Sequence, residues 1–68
     1  MKKNLDISVV IPVFNEEESL VELNNQILNS INENKTYELI YINDGSTDQS
    51  KNIITTLASK NSNIKLIN

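Results

Sequence analysis

The 68-residue chain has no cysteine, histidine, tryptophan or arginine, and only one glycine, Gly45, and one proline, Pro12. Without cysteine or histidine it can form no disulfide, thiolate nucleophile, imidazole base or usual zinc ligand set, so side-chain chemistry falls to carboxylates. One glycine cannot build a phosphate cradle. The dinucleotide fingerprint and the Walker loop both need several glycines at fixed spacing, which argues against a Rossmann dehydrogenase and a P-loop nucleotide hydrolase. Six lysines against nine acids leave a formal net charge of −3. With no basic face to cover a phosphodiester backbone, nucleic acid is not an expected partner. The basic start, Met1-Lys2-Lys3, leads into an apolar run that is short, contains Pro12 and ends in acids. That pattern fits neither a signal peptide nor a membrane span, and a soluble, cytoplasmic chain is expected.

What is present is an alternation of β-branched runs and amphipathic stretches. Ile7 to Val13 reads as a first strand, apolar enough to be covered on both faces as in a parallel sheet. Pro12 cannot donate to a ladder, so pairing is expected to end there, with Phe14 and Asn15 forming the exit loop. Asn15 followed by Glu16, Glu17 and Glu18 has the form of a helix cap with first-turn acids, predicting a helix to about Asn32. Leu20, Leu23, Ile27, Leu28 and Ile31 make its apolar stripe. Tyr37 to Asn43 supplies a second strand. Ser46 and Gln49 form a second capping box, ahead of a helix with Ile53, Ile54, Leu57 and Ala58 on its apolar face. Ile64 to Ile67 begins a third strand. The order β-α-β-α-β predicts an α/β fold with parallel strands. Such a sheet would leave long unpaired edges and a half-covered core, so the chain is expected to be a fragment or to self-associate.

The stretch from Tyr37 to Asp48 carries the strongest functional signal. It places Asp44 at a strand's carboxyl end, beside Gly45 and before a helix, where open α/β sheets bind ligands. Asp-Gly is also hairpin chemistry, but no second alternating strand follows. A carboxylate so placed can accept N–H groups of a base or hydroxyls of a ribose. A metal pair of Asp44 with Asp48, or a cluster at Glu16 to Glu18, competes with helix capping, which already accounts for Asp48, Glu17 and Glu18. Phe14 and Glu16 lie nearest the mouth of the sheet. Phe14 reads either as packing or as a wall for a base.

The segments Val9-Val10-Ile11-Pro12-Val13-Phe14-Asn15-Glu16-Glu17-Glu18 and Glu38-Leu39-Ile40-Tyr41-Ile42-Asn43-Asp44-Gly45-Ser46-Thr47-Asp48 resemble the amino-terminal nucleotide-binding half of family 2 glycosyltransferases. The likeness covers nearly the whole chain. It implies a Rossmann-like GT-A fold, incomplete here, with residues 1–68 the amino-terminal fragment of a glycosyltransferase domain. The Asn-Glu-Glu-Glu variant most resembles the branch that transfers sugars to polyprenyl phosphates, such as dolichol-phosphate mannosyltransferase-like enzymes. Carried over residue by residue, the resemblance assigns nucleotide-sugar binding to Pro12, Phe14, Glu16, Ile42 and Asp44. Asn43 stands where family members usually have a first acid. The resemblance further implies a UDP- or GDP-linked donor and Mg²⁺ or Mn²⁺ in the parent enzyme, with any membrane contact through its other portions. No segment matches the family's Asp-X-Asp motif or its catalytic residue, so no catalytic or metal residue is assigned and the fragment alone is expected to be inactive.

Two other classes compete. A receiver-like signalling domain would phosphorylate Asp44, but needs an acidic pair near the end of the first strand, where Pro12 and Val13 stand. A non-catalytic assembly module would be a tight dimer that binds no nucleotide.

Overall fold

The computed structural model describes residues 5–68. The basic start, Met1 to Asn4, lies outside the described residues. Five elements follow in the expected order: β1 (Ile7–Val13), α1 (Leu20–Ser30), β2 (Tyr37–Asn43), α2 (Ser50–Lys60) and β3 (Ile64–Ile67). The strands form one parallel sheet in the order β1-β2-β3, so the chain is a partial Rossmann-like α/β fold. The β-branched runs form these strands because branched side chains pack well on a pleated surface and are stiff in a helix.

Both crossovers run in the same direction across the sheet, and both helices pack on one face. The core consists of Val13, Leu20, Leu39, Tyr41, Ile54 and Ile64, drawn from all five elements, with Val9, Ile11, Ile27, Leu28, Ile53 and Leu57 packed around it. The expectation of cover on both faces of β1 is therefore not met among the described residues. Ser8, Val10 and Pro12 alternate outward and are exposed, while Val13 is buried.

The α1 stripe is also corrected. Leu23 is 36% exposed, and Asn24 takes its place in the core at 3%. At about 100° per residue, the face shared by Leu20, Ile27 and Ile31 leaves Leu23 on its flank and brings Asn24 inward. The reason for a buried amide lies on β2. The Tyr41 hydroxyl, fully buried, donates to Asn24 Oδ1 at 2.7 Å. An apolar residue at position 24 would leave that hydroxyl unpaired. Burial also pushes the Tyr41 phenol above its ordinary pKa.

Pro12 does not end the pairing. Register runs on through Pro12 with Ile42 to Val13 with Asn43. The Ile7 N–H donates to Thr36 and the Val13 carbonyl accepts from Asp44, so odd-numbered residues of β1 turn their backbone groups toward β2 and even-numbered ones turn theirs away. Pro12 therefore lacks a donor only on the edge turned away from β2, where no strand pairs with it among the described residues.

Candidate functional site

Because β1 and β2 are parallel and in register to their last residues, their carboxyl ends lie side by side. Pro12 and Ile42 are register partners, and by strand alternation they share the uncovered face, Pro12 exposed and Ile42 half-buried. One residue beyond β2, the Asp44 N–H donates to the Val13 carbonyl at 2.8 Å. The backbone of Asp44 is thus held by the sheet. Its side chain is exposed, and among the described residues none hydrogen-bonds its carboxylate.

Gly45 has φ +75°, and a Cβ there would meet nothing within 4 Å, so glycine supplies the left-handed backbone and not the space. Phe14 is 59% exposed at the rim. Glu16 is anchored by its N–H, which donates to Ser50 Oγ at 2.8 Å, and its carboxylate accepts the Ser19 hydroxyl at 3.2 Å. The structure therefore gathers Pro12, Phe14, Glu16, Ile42 and Asp44 at one end of the sheet. Asn43 shapes the turn: its Oδ1 accepts the Ser46 N–H at 3.1 Å and its Nδ2 donates to Asn68 Oδ1 at 3.2 Å.

An open recess of about 380 Å³ lies alongside, lined by Asn15, Glu16, Glu17, Glu18, Ser19 and Asp48. Only Glu16 of the five expected residues lines it. Its acidic walls suit phosphates poorly.

The residues read as helix caps do other work. Helix α1 begins at Leu20 after Ser19, and α2 at Ser50 after Gln49, neither with a side-chain cap bond. Instead the two strand-to-helix loops are laced to each other. From the first loop, the N–H groups of Asn15, Glu16 and Glu17 donate to Ser46 Oγ (3.0 Å), Ser50 Oγ (2.8 Å) and Asp48 Oδ2 (3.2 Å). In return, the N–H groups of Thr47 and Asp48 donate to Asn15 Oδ1 (2.9 and 3.4 Å), and that of Gln49 to Glu17 Oε1 (3.0 Å). Sequence reasoning missed this role for Asn15, Glu17, Asp48 and Ser50. The local pattern that marks a cap is the same whether the amides satisfied are the helix's own or those of a loop some thirty positions away.

Burial opposes ionisation of Asp48, but hydrogen bonds from the Ser50 hydroxyl and N–H and from the Glu17 N–H outweigh it and hold the carboxyl below its ordinary value of 3.8. At the other end of the sheet the Thr36 N–H lowers Asp6 against a smaller opposing effect of burial, helped by the Thr36 hydroxyl and Lys35. A carboxyl whose pKa is depressed by folding stabilises the folded chain fully above its unfolded value, and that contribution is lost as pH falls through the folded one. The urea midpoint is accordingly expected to hold level down to about pH 5 and to fall between about pH 4 and pH 2, less steeply in Asp48→Asn. A flat midpoint across that acid range, followed by circular dichroism, would contradict the lacing.

Among the described residues no group of three or more His, Cys, Asp or Glu side chains could hold a metal ion. The residues present do not fit the divalent cation that the resemblance implies, and no step is derived through one. Nor is any helix of the described residues long and apolar enough to cross a membrane.

Comparison with known proteins bears on this geometry. The family model described as glycosyl transferase family 2 matches residues 8–68. An undecaprenyl-phosphate 4-deoxy-4-formamido-L-arabinose transferase of Shewanella sediminis is 48% identical over 60 residues, covering 85% of this chain and 18% of that protein. A dolichyl-phosphate beta-glucosyltransferase of Trichomonas vaginalis is 32% identical over 68 residues, covering 91% and 21%. A poly(ribitol-phosphate) beta-glucosyltransferase of Bacillus spizizenii is 35% identical over 63 residues, covering 93% and 10%. The chain thus spans only about a tenth to a fifth of the length of these relatives.

Proposed function

Because the chain belongs to glycosyl transferase family 2, we propose that it is the nucleotide-sugar-binding, amino-terminal portion of a GT-A glycosyltransferase that transfers a sugar to a polyprenyl phosphate. The observation that carries this reading is the convergence of both motif segments at one sheet end, where the Asp44 carboxylate is exposed and without a partner among the described residues. Asp44 accepts the N–H groups of a base or the hydroxyls of a ribose, Phe14 gives the base an apolar wall, and Pro12, Ile42 and Glu16 frame the floor and rim. The acceptor class follows the names of the Shewanella and Trichomonas relatives.

In the reaction an acceptor oxygen attacks the anomeric carbon and the bond from that carbon to the nucleoside diphosphate breaks, the diphosphate leaving with the electron pair. These residues bind and orient the nucleoside end of the donor. Mg²⁺ or Mn²⁺ is assigned to parts of the parent enzyme other than these residues, and a phosphate-monoester oxygen, largely ionised at neutral pH, attacks without first giving up a proton. The enzyme would work at the cytoplasmic face of a membrane.

Titrating the chain with UDP and with GDP by ¹H–¹⁵N NMR is expected to give weak, saturable shifts centred on the N–H groups of residues 13–16 and 42–46, since the chain has no arginine to grip a diphosphate. Shifts confined to other positions would overturn the site. The uncovered apolar side chains Val10 and Ile67, 55% and 52% exposed, support self-association of the chain as a companion reading. Sedimentation of the same samples tests it, and a monomer at every concentration rules it out.

A further inference from the structure

The lacing of the two loops converges on one residue. Asn15 has φ +51°, the only positive φ outside glycine among the described residues. Left-handed backbone is unfavourable for a side chain with a Cβ, and asparagine is among the few residues that adopt it readily. There the N–H of Asn15 donates to Ser46 Oγ at 3.0 Å, and its own Oδ1 accepts the Thr47 N–H at 2.9 Å and the Asp48 N–H at 3.4 Å. It stands between Phe14 and Glu16 in sequence. The loop it grips begins at Asp44 and Gly45, so its three bonds span the gap between the two halves of the proposed nucleotide surface.

Among the described residues no other makes three bonds across the gap; Glu17 makes two, its N–H donating to Asp48 Oδ2 and its Oε1 accepting the Gln49 N–H. Ser46 and Ser50 each accept one N–H from the first loop, and Asp48 accepts one there while its other oxygen takes the N–H of Ser50. The left-handed residue follows directly on Phe14 in the chain.

We propose that Asn15 is a positioning residue of the nucleotide site: through its left-handed backbone and its side-chain oxygen it fixes the distance between Phe14 and Asp44, without itself touching the nucleotide. The proposal rests on the nucleotide-binding reading above. A site whose halves sit on separate loops binds better when those loops are held in the bound arrangement beforehand, because less ordering remains to be done on binding.

Three substitutions separate the two properties of Asn15. Asn15→Gly keeps the left-handed backbone and loses the acceptor. Asn15→Asp keeps the acceptor. Asn15→Ala loses the acceptor and strains the backbone. UDP and GDP affinities by NMR titration, urea midpoints and amide hydrogen exchange are measured for each.

Asn15→Gly is expected to bind about tenfold more weakly, two hydrogen bonds having been removed, with a urea midpoint close to that of the original chain and with faster exchange at Thr47 and Asp48. Asn15→Asp is expected to restore affinity to within about threefold and to restore slow exchange. Asn15→Ala should lose affinity and stability together. If the original chain binds nucleotide and Asn15→Gly binds it equally well, the positioning role is wrong while the nucleotide reading stands. If the original chain binds neither UDP nor GDP, the nucleotide reading fails and the positioning role falls with it.

Discussion

Truncating Leu39 to alanine is expected to lower the free energy of unfolding by about 3 kcal/mol, within the usual range of about 2–5 for a buried leucine. Leu39 is fully buried on the middle strand, in register with Val9 on one side and Ile64 on the other, and shares one cluster with Leu20 and Ile54 from the two helices. Its removal leaves a cavity where every element of the fold meets. At roughly 0.05–0.15 kcal/mol per residue, a chain of this length has only about 3–10 kcal/mol in total. The loss is then between about a third and the whole of it.

Urea unfolding at constant pH measures the effect as a midpoint lowered by about 1–3 M. The comparison substitution is Val10→Thr, on the same sheet but on the uncovered face and 55% exposed. It is expected to change stability by no more than about 0.5 kcal/mol. Equal losses from the two substitutions would mean that the helices do not cover the face on which Leu39 lies.

The second large effect is on binding. Asp44→Ala is expected to weaken UDP or GDP binding by about 10- to 100-fold, since a hydrogen bond to a charged group contributes about 1.5–3 kcal/mol. Stability should hardly change, because Asp44 is fastened to the sheet by its N–H, which donates to Val13 and is kept in alanine. Asp44→Asn retains one acceptor oxygen without the charge and is expected to fall between the two. Unchanged affinity in Asp44→Ala, measured by the same NMR titration, would remove Asp44 from the site. A collapse of the urea midpoint would instead make its role structural.

How much of this could be read from the residues alone differs by element. The strands Ile7–Val13, Tyr37–Asn43 and Ile64–Ile67 agree with expectation to the residue, because dense β-branched runs bounded by polar residues have few other readings. The helices are right in kind but begin three to four residues late, with caps at Ser19 and Gln49 in place of Asn15 and Ser46, since Asn15 and Ser46 satisfy amides of the opposite loop instead of those of their own helices. Long-range partners leave no trace in local spacing. The same holds for Asn24, which looks like a break in an apolar stripe until the Tyr41 hydroxyl is placed beside it. Cover on one face only was likewise hidden, because a strand's composition does not record which neighbours lie within the chain.

At the site, the five expected residues stand together at one sheet end, as the resemblance in the two motifs implies. What it did not supply was the means by which the loops bearing them are held. That depends on carboxyl, amide and hydroxyl side chains whose ordinary local role is capping.

The free edge of β1 has a polarity of its own. Its outward-facing backbone offers donors at Ser8 and Val10 and none at Pro12. A strand pairing in parallel with that edge would meet the Pro12 carbonyl but no N–H, and so would be one register bond short near the strand's carboxyl end. Proline thus leaves that side of the ladder weakest just where the chain turns toward Phe14 and Asp44.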